Sequence, residues 1–190
     1  ILQSGADLGI YSDLPTDESD DTVAVSNVAV QLPSRDVGTL DGAQAAFEKL
    51  FKKLEQIRNQ GASGEEVKRA VSAVKRANQR LNLVKGSEAW THDGHIEVNV
   101  QSMRIGETVL VSLPVEPFAE LANDVKKRSN AVNTIFSGFS NGHFKYLPTD
   151  IAHEEGGYEV GVCVFGPGSA DLTVRASLQA IDEVVNDLGQ

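Results

Sequence analysis

Apolar residues change their spacing along this chain, and each change predicts a different element. Between Thr22 and Leu32 they alternate with polar residues, the pattern of a strand with one covered face. The alternation has two phases. Val23 and Val25 share one, and Val28, Val30 and Leu32 share the other. A bulge near Ser26 and Asn27, or two short strands, would reconcile them. Beyond residue 38 the spacing becomes three and four. Phe47, Leu50, Phe51, Leu54 and Ile57 fall on one face of a helix, with Asp41 and Gln44 at capping-box positions and Gly61 placed to end it. Ser63 and Glu66 make a second capping box, ahead of a stripe of Val67, Ala70, Val71, Val74, Leu81 and Val84. Most of the Lys and Arg residues there lie off the stripe. The two helices read as a hairpin whose plain role is scaffold.

From residue 94 strands and helices alternate. Ile96, Val98 and Val100 interleave with Glu97, Asn99 and Gln101, and a Gly106-Glu107 turn leads into an almost continuous apolar strand, Thr108 to Leu113. Pro114 and Pro117 break that strand. Pro117 suits the first position of a helix that turns Phe118, Leu121, Ala122 and Val125 inward and ends in Lys126, Lys127 and Arg128. Ala131 to Phe136 predicts a buried strand, and 137–148 a loop rich in Gly, Ser and Asn. A short apolar strand is expected between Tyr158 and Phe165. After Gly166-Pro167-Gly168 a last helix starts at Ser169, with Val174, Leu178, Ile181 and Val185 on one side. The expected fold is α/β: a mixed sheet with flanking helices and a helical hairpin insertion, in a chain that could also be one part of a larger domain. The chain divides into an irregular and strand segment at 1–37, the hairpin at 38–85 and an α/β portion at 94–190.

Composition narrows the function. The 190 residues hold 41% apolar and 23% charged side chains, a globular balance. The net charge of -10 argues against a nucleic-acid partner, because phosphate contacts need a basic face. Charge does not draw such a chain to anionic membrane either, although apolar contact with lipid stays open. Cys163 is the sole cysteine, so no disulfide forms within the chain, and its apolar neighbours make it a core residue. No apolar run is long enough to span a bilayer. Asp13, Asp17, Glu18, Asp20 and Asp21 crowd a stretch that reads as a solvated acidic loop. The chain opens at Ile1 without an initiator Met, as a processed or truncated chain would.

Chemistry has a few candidate places. Glu116 stands at a strand-to-helix junction, where α/β sheets put their sites, or it only complements a helix dipole. The loop from Ser140 to Thr149 gathers His143, Lys145 and Tyr146, either as a working loop or as ordinary surface. His153-Glu154-Glu155-Gly156-Gly157-Tyr158 combines polar groups with glycines that allow close backbone approach or a tight turn. His92 and His95 are three apart on a predicted loop, a weak metal pattern. No Ser-His-Asp order and no phosphate-cradling glycine loop is present.

Three motifs in order carry a resemblance. Met103 to Glu107 leads through Leu113-Pro114-Val115-Glu116-Pro117-Phe118, then Ser140-Asn141-Gly142-His143-Phe144-Lys145-Tyr146-Leu147-Pro148-Thr149, then Glu154-Glu155-Gly156-Gly157-Tyr158-Glu159. Over roughly residues 95–187 this resembles the neutral/alkaline non-lysosomal ceramidases, with the bacterial-type branch closest. The resemblance implies the C-terminal part of a zinc-dependent amidohydrolase that cleaves the amide of ceramide or a related N-acyl lipid. It implies Glu116 and Tyr146 as zinc ligands, with two further His ligands supplied from outside this chain. It implies Tyr158 as the phenol that contacts the scissile amide, and Ser4, within Gln3-Ser4-Gly5-Ala6-Asp7, as a degenerate match to the nucleophile. Val115 replaces the family's usual Gly, and His143 replaces its first Tyr. A secreted, cell-surface or periplasmic location is implied, as are a lipid substrate and the remainder of the catalytic domain as partners. Two other readings remain: a non-catalytic relative serving as a binding module, and an unrelated α/β domain with chance matches.

Overall fold

The structure, a computed structural model, describes residues 23–186. Its centre is a mixed sheet in the order β1 (Val23–Pro33), β3 (His95–Ile105), β4 (Thr108–Ser112), β6 (Asn133–Ser137), with the short β2 (Thr91–His92) also paired to β3. β1, β3 and β4 run antiparallel and β6 joins β4 in parallel. The β3–β4 turn has Gly106 at φ 56°, a conformation that glycine adopts without steric cost. The α/β layering expected from the alternating pattern is present: a mixed sheet flanked by helices.

α6 (Ser169–Asn186) lies across β1, β3 and β4, and α3 (Ala119–Arg128) packs beside it against β6. Between helices and sheet sits the core, built on Leu32, Ile96, Val98, Val100, Val109, Val111, Ile181 and Phe165. Every second residue of β3 from Ile96 to Ser102 points into it, the period-two rule at work.

The opposite face of the sheet carries an apolar patch toward the β3–β4 turn that no described element covers, while Asn27, Gln31, Glu97, Asn99 and Gln101 make the rest of that face polar. In register, Val25 pairs with Met103, Met103 with Leu110, and Leu110 with Ile135, so one row crosses all four strands. Val25 is 68% exposed, Ile105 59%, Ile135 52% and Met103 40%. This explains the two phases in the first strand. β1 pairs with β3 without interruption from Val23–Ile105 to Pro33–His95, so the expected bulge is absent. Val23 and Val25 simply occupy the open face, and Leu32 the closed one. Contiguous apolar surface of this kind binds hydrophobic dyes. The isolated chain should therefore enhance the fluorescence of such a dye, and the double variant Val25→Glu, Met103→Lys should lower that enhancement with far-UV circular dichroism unchanged. The opposite charges are cross-strand partners, so they do not repel.

The hairpin is α1 (Leu40–Asn59) and α2 (Gly64–Trp90). α2 has the expected Ser63–Glu66 capping box, but α1 is capped by Thr39, whose side chain accepts from the Gly42 N–H, not by Asp41. α2 also runs past the expected end at 85 to Trp90. Leu83 and Val84 reach the core, and Trp90 meets Phe144 edge to face at 5.1 Å, so burial carries the helix through Gly86.

Three other expectations are corrected. Pro117 precedes the N-cap Phe118 instead of opening α3, because its segment is held in a strand pair. β6 is a half-exposed edge strand instead of a buried one. Tyr158 to Phe165 is not a strand: Gly156 and Gly157 at φ 78° and 116° end α4 (Asp150–Glu155) and start the single turn α5 (Tyr158–Gly161). Cys163 to Phe165 is fully buried all the same, tied to the sheet by the Ser34–Phe165 bridge. Burial pushes the Cys163 thiol up to about 11, in line with its core reading. Among the described residues, no helix is long and apolar enough to cross a membrane.

Candidate active site

β4 ends at Ser112, and the next residues are laced to the loop that follows β6. Leu113 N–H donates to the Ser137 carbonyl, Ser140 N–H to Leu113, Phe139 N–H to Val115 and Phe144 N–H to Pro114, at 2.8–3.1 Å. The lacing ends in a two-strand parallel pair, β5 (Glu116–Pro117) with β7 (Tyr146–Leu147), in which Glu116 stands directly beside Tyr146. Glu116 N–H donates to the Lys145 carbonyl at 2.9 Å and Phe118 N–H to Leu147 at 3.1 Å. Two residues thirty apart in sequence are thereby fixed side by side by main-chain bonds alone, whatever their side chains do.

The lacing requires one glycine. A Cβ at Gly138 would stand 2.7 Å from Pro117 Cδ and 2.8 Å from the Val115 carbonyl oxygen, closer than atoms tolerate. Gly138→Ala should therefore separate the two segments and destabilise the chain by about 1–3 kcal/mol, the usual cost of overpacking. Urea unfolding of the variant checks this; an unchanged midpoint contradicts the close approach. Farther along the loop Phe139, Asn141 and Lys145 take φ of 55°, 60° and 75°, a conformation that non-glycine residues avoid. Such strain persists only where surrounding structure holds it and concentrates at working loops.

Tyr158 completes the cluster. The glycine pair brings it back over β7, and its ring meets that of Tyr146 at 6.3 Å, near-perpendicular. Tyr146 is half-buried. Desolvation first, then the charge of Glu116 and a hydrogen bond to it, push its phenol above the ordinary value, with Tyr158 and Glu159 adding to the effect. Glu116, Tyr146 and Tyr158 line a pocket of ≈ 350 Å³. His143 and Lys145 contribute to its rim, and His143 stacks on Phe139 at 4.9 Å.

One wall of the pocket was not legible in the sequence. Gln79, Asn82 and Leu83 of α2 line it, so the helix read as scaffold contributes to the site. The only local signal is two polar residues three apart, off the apolar stripe, which describes most solvated helix faces.

Other candidates stand apart. His153 lies on α4 and does not line the pocket. Its Nε2 is buried without a partner, and burial, then the charge of Arg35, lowers its pKa. His92 and His95 are exposed cross-strand partners, and His95 Nδ1 lies 2.9 Å from the Asp93 carbonyl oxygen. Ser4 lies outside the described residues. Among those described, no group of three or more His, Cys, Asp or Glu could hold a metal ion. The donors that do meet are one carboxylate and one phenol. Alone this pair does not hold zinc, because zinc sites take three or four protein ligands.

No family model matches the chain, and no curated protein does. Among solved structures, the neutral ceramidase from Pseudomonas aeruginosa and a ceramidase complexed with C2 are similar in part, each at 21% identity with a TM-score of 0.38. The similarity covers 47% of this chain and 15% of each of theirs, so it is distant and the chain spans a small share of their length.

Proposed function

We propose that this chain is the C-terminal part of a zinc-dependent amidohydrolase acting on ceramide or a related N-acyl lipid. The observation that carries the reading is convergence. Glu116, Tyr146 and Tyr158, singled out by three separate motifs, stand together in one pocket. Glu116 and Tyr146 would each give one oxygen to zinc, and the remainder of the catalytic domain, a partner of this chain, would give two imidazoles. The open sheet face is where that remainder would pack: Ser140 and Asn141 border it, next to the loop that carries Tyr146.

When bound, zinc polarises the amide carbonyl and lowers the pKa of bound water. The chain's own residues position and stabilise. Tyr158, 61% exposed at the pocket mouth, would donate its O–H to the carbonyl oxygen as negative charge builds there. Leu83 gives the pocket an apolar wall, and Gln79 and Asn82 offer polar contacts to a substrate head. The Val115 departure does not obstruct this arrangement, because its side chain is wholly buried in the core.

The test is metal analysis of the complete gene product, with an assay for fatty acid released from N-acyl sphingosine. Bound zinc with release is the expected result. A complete protein that binds no zinc and releases no fatty acid would favour the non-catalytic reading, which the replacement of Tyr by His143 at the pocket rim supports.

A further inference from the structure

The net charge of -10 conceals a segregation. Residues 48–80, the outer part of the hairpin, hold nine of the 17 Lys and Arg residues and only four of the 27 acids. That stretch carries an excess of five positive charges, and the rest of the chain an excess of fifteen negative ones. Among the described residues, the outer part of the hairpin also packs mainly on itself. α1 buries only Leu54, and α2 buries nothing before Leu81. At 27 residues α2 is about 40 Å long. Charges in physiological salt are screened over about 8 Å, so the acids on the described sheet and its flanking helices do not cancel the outer part of the arm.

The arm is also apolar in places. Phe51 is 44% exposed and stacks on Phe47 at 5.9 Å. Leu50, Ile57, Ala70 and Ala73 line a groove of ≈ 370 Å³ between the helices together with two cations, Lys53 and Arg69, and one acid, Glu66. Arg69 is 3.9 Å from Glu65, but both side chains are more than 70% exposed, so this pair holds little of the charge. Cations beside accessible aromatic and aliphatic groups are what an interfacial helix presents to lipid headgroups.

We propose that the α1–α2 arm docks on an anionic lipid surface and so brings the pocket to a membrane-borne substrate. The choice of lipid over other polyanions rests on the amidohydrolase reading. The charge segregation and the accessible Phe51 stand without it. The connection to the site is physical. The helix that carries Lys68, Arg69 and Arg76 on the arm continues into Gln79, Asn82 and Leu83 at the pocket wall.

The experiment uses the complete protein and its quadruple variant Lys52→Glu, Lys53→Glu, Lys68→Glu, Arg69→Glu, all exposed positions away from the pocket. Each is co-sedimented with phosphatidylcholine vesicles, with and without a third of phosphatidylglycerol. Amidase activity is measured on ceramide in those vesicles and in neutral detergent micelles. The wild type should partition at least about tenfold better to the anionic vesicles, less so as salt rises, because each basic residue near an anionic surface adds to the attraction. The variant should lose that preference and its activity on vesicles, yet keep activity in micelles and the same helical circular dichroism. Equal partitioning to both vesicles, an unaffected variant, tighter binding of mixed-sequence RNA than of vesicles, or self-association through the arm would each overturn the proposal. Vesicle preference without any amidase activity would overturn the enzymatic reading instead and leave the arm's role standing.

Discussion

On the amidohydrolase reading proposed above, Glu116→Gln in the complete protein should strip bound zinc and lower kcat/KM by at least about 100-fold, while Tyr158→Phe should keep the zinc and lose kcat alone. The two variants separate two roles. Glu116 is held by its main chain, paired to β7 through backbone bonds, so an isosteric amide leaves the strand pair in place. What changes is the charge offered to a cation. Loss of partners one shell farther out already costs roughly 10–100-fold at metal sites, so loss of a ligand sets that as a floor. Tyr158 sits at the mouth against Tyr146, and its replacement removes only a hydroxyl. A donor used only as the oxyanion forms is worth about 10²–10³ in kcat, with KM little changed. Metal analysis and steady-state kinetics on the purified variants decide the matter. Zinc retained by Glu116→Gln, or KM-only effects in Tyr158→Phe, would reassign both residues.

The extent to which this arrangement is legible in the chain follows from what periodicity can encode. β3 buries one face from Ile96 to Ser102, so its pattern is clear, whereas α6 buries Thr173, Ser177 and Ala180 more fully than the apolar Leu178 and Val185, so its stripe is legible only in part. β1 misleads because its first residues are apolar on both faces, and only the register with β3 shows that Val23 and Val25 belong to the open side. The stretch from Val160 to Phe165 has the composition of a strand, but the glycine pair before it sends the chain into a turn, and its burial is won without a ladder. The site is harder still. β5 and β7 are two residues each, too short for any period, and their pairing depends on a close approach at Gly138 that no local pattern announces. Motif resemblance pointed to Glu116, Tyr146 and Tyr158, and main-chain geometry brings them together. The contribution of α2 to the pocket, and the arm's charge, are properties of placement in space. A net charge summed over the chain erases the second of them.

Phe165→Ala tests whether the buried turn after α5 is a support of the site or a passive filler. Phe165 is the largest wholly buried side chain among the described residues, sealed between the end of β1 and the start of α6. Its N–H meets the Cys163 sulfur and its carbonyl accepts from the same thiol, both at 3.2 Å. Its neighbour Gly166 donates to the Pro33 carbonyl at 2.7 Å. Removing the ring leaves those bonds available but opens a cavity, and such truncations cost about 3–5 kcal/mol. A domain of this size has roughly 5–15 kcal/mol in all, so much of the margin disappears. The loss should reach the pocket, because Val162 lines it and the segment that ends at Phe165 anchors the turn that holds Tyr158. The expected result is a urea midpoint far below wild type, with the Tyr158 region the first to lose amide-exchange protection. Phe165→Leu, which keeps most of the volume, should recover the larger part of both. If the alanine variant unfolds at the wild-type midpoint, the cluster around Tyr146 is held by the β5–β7 lacing alone.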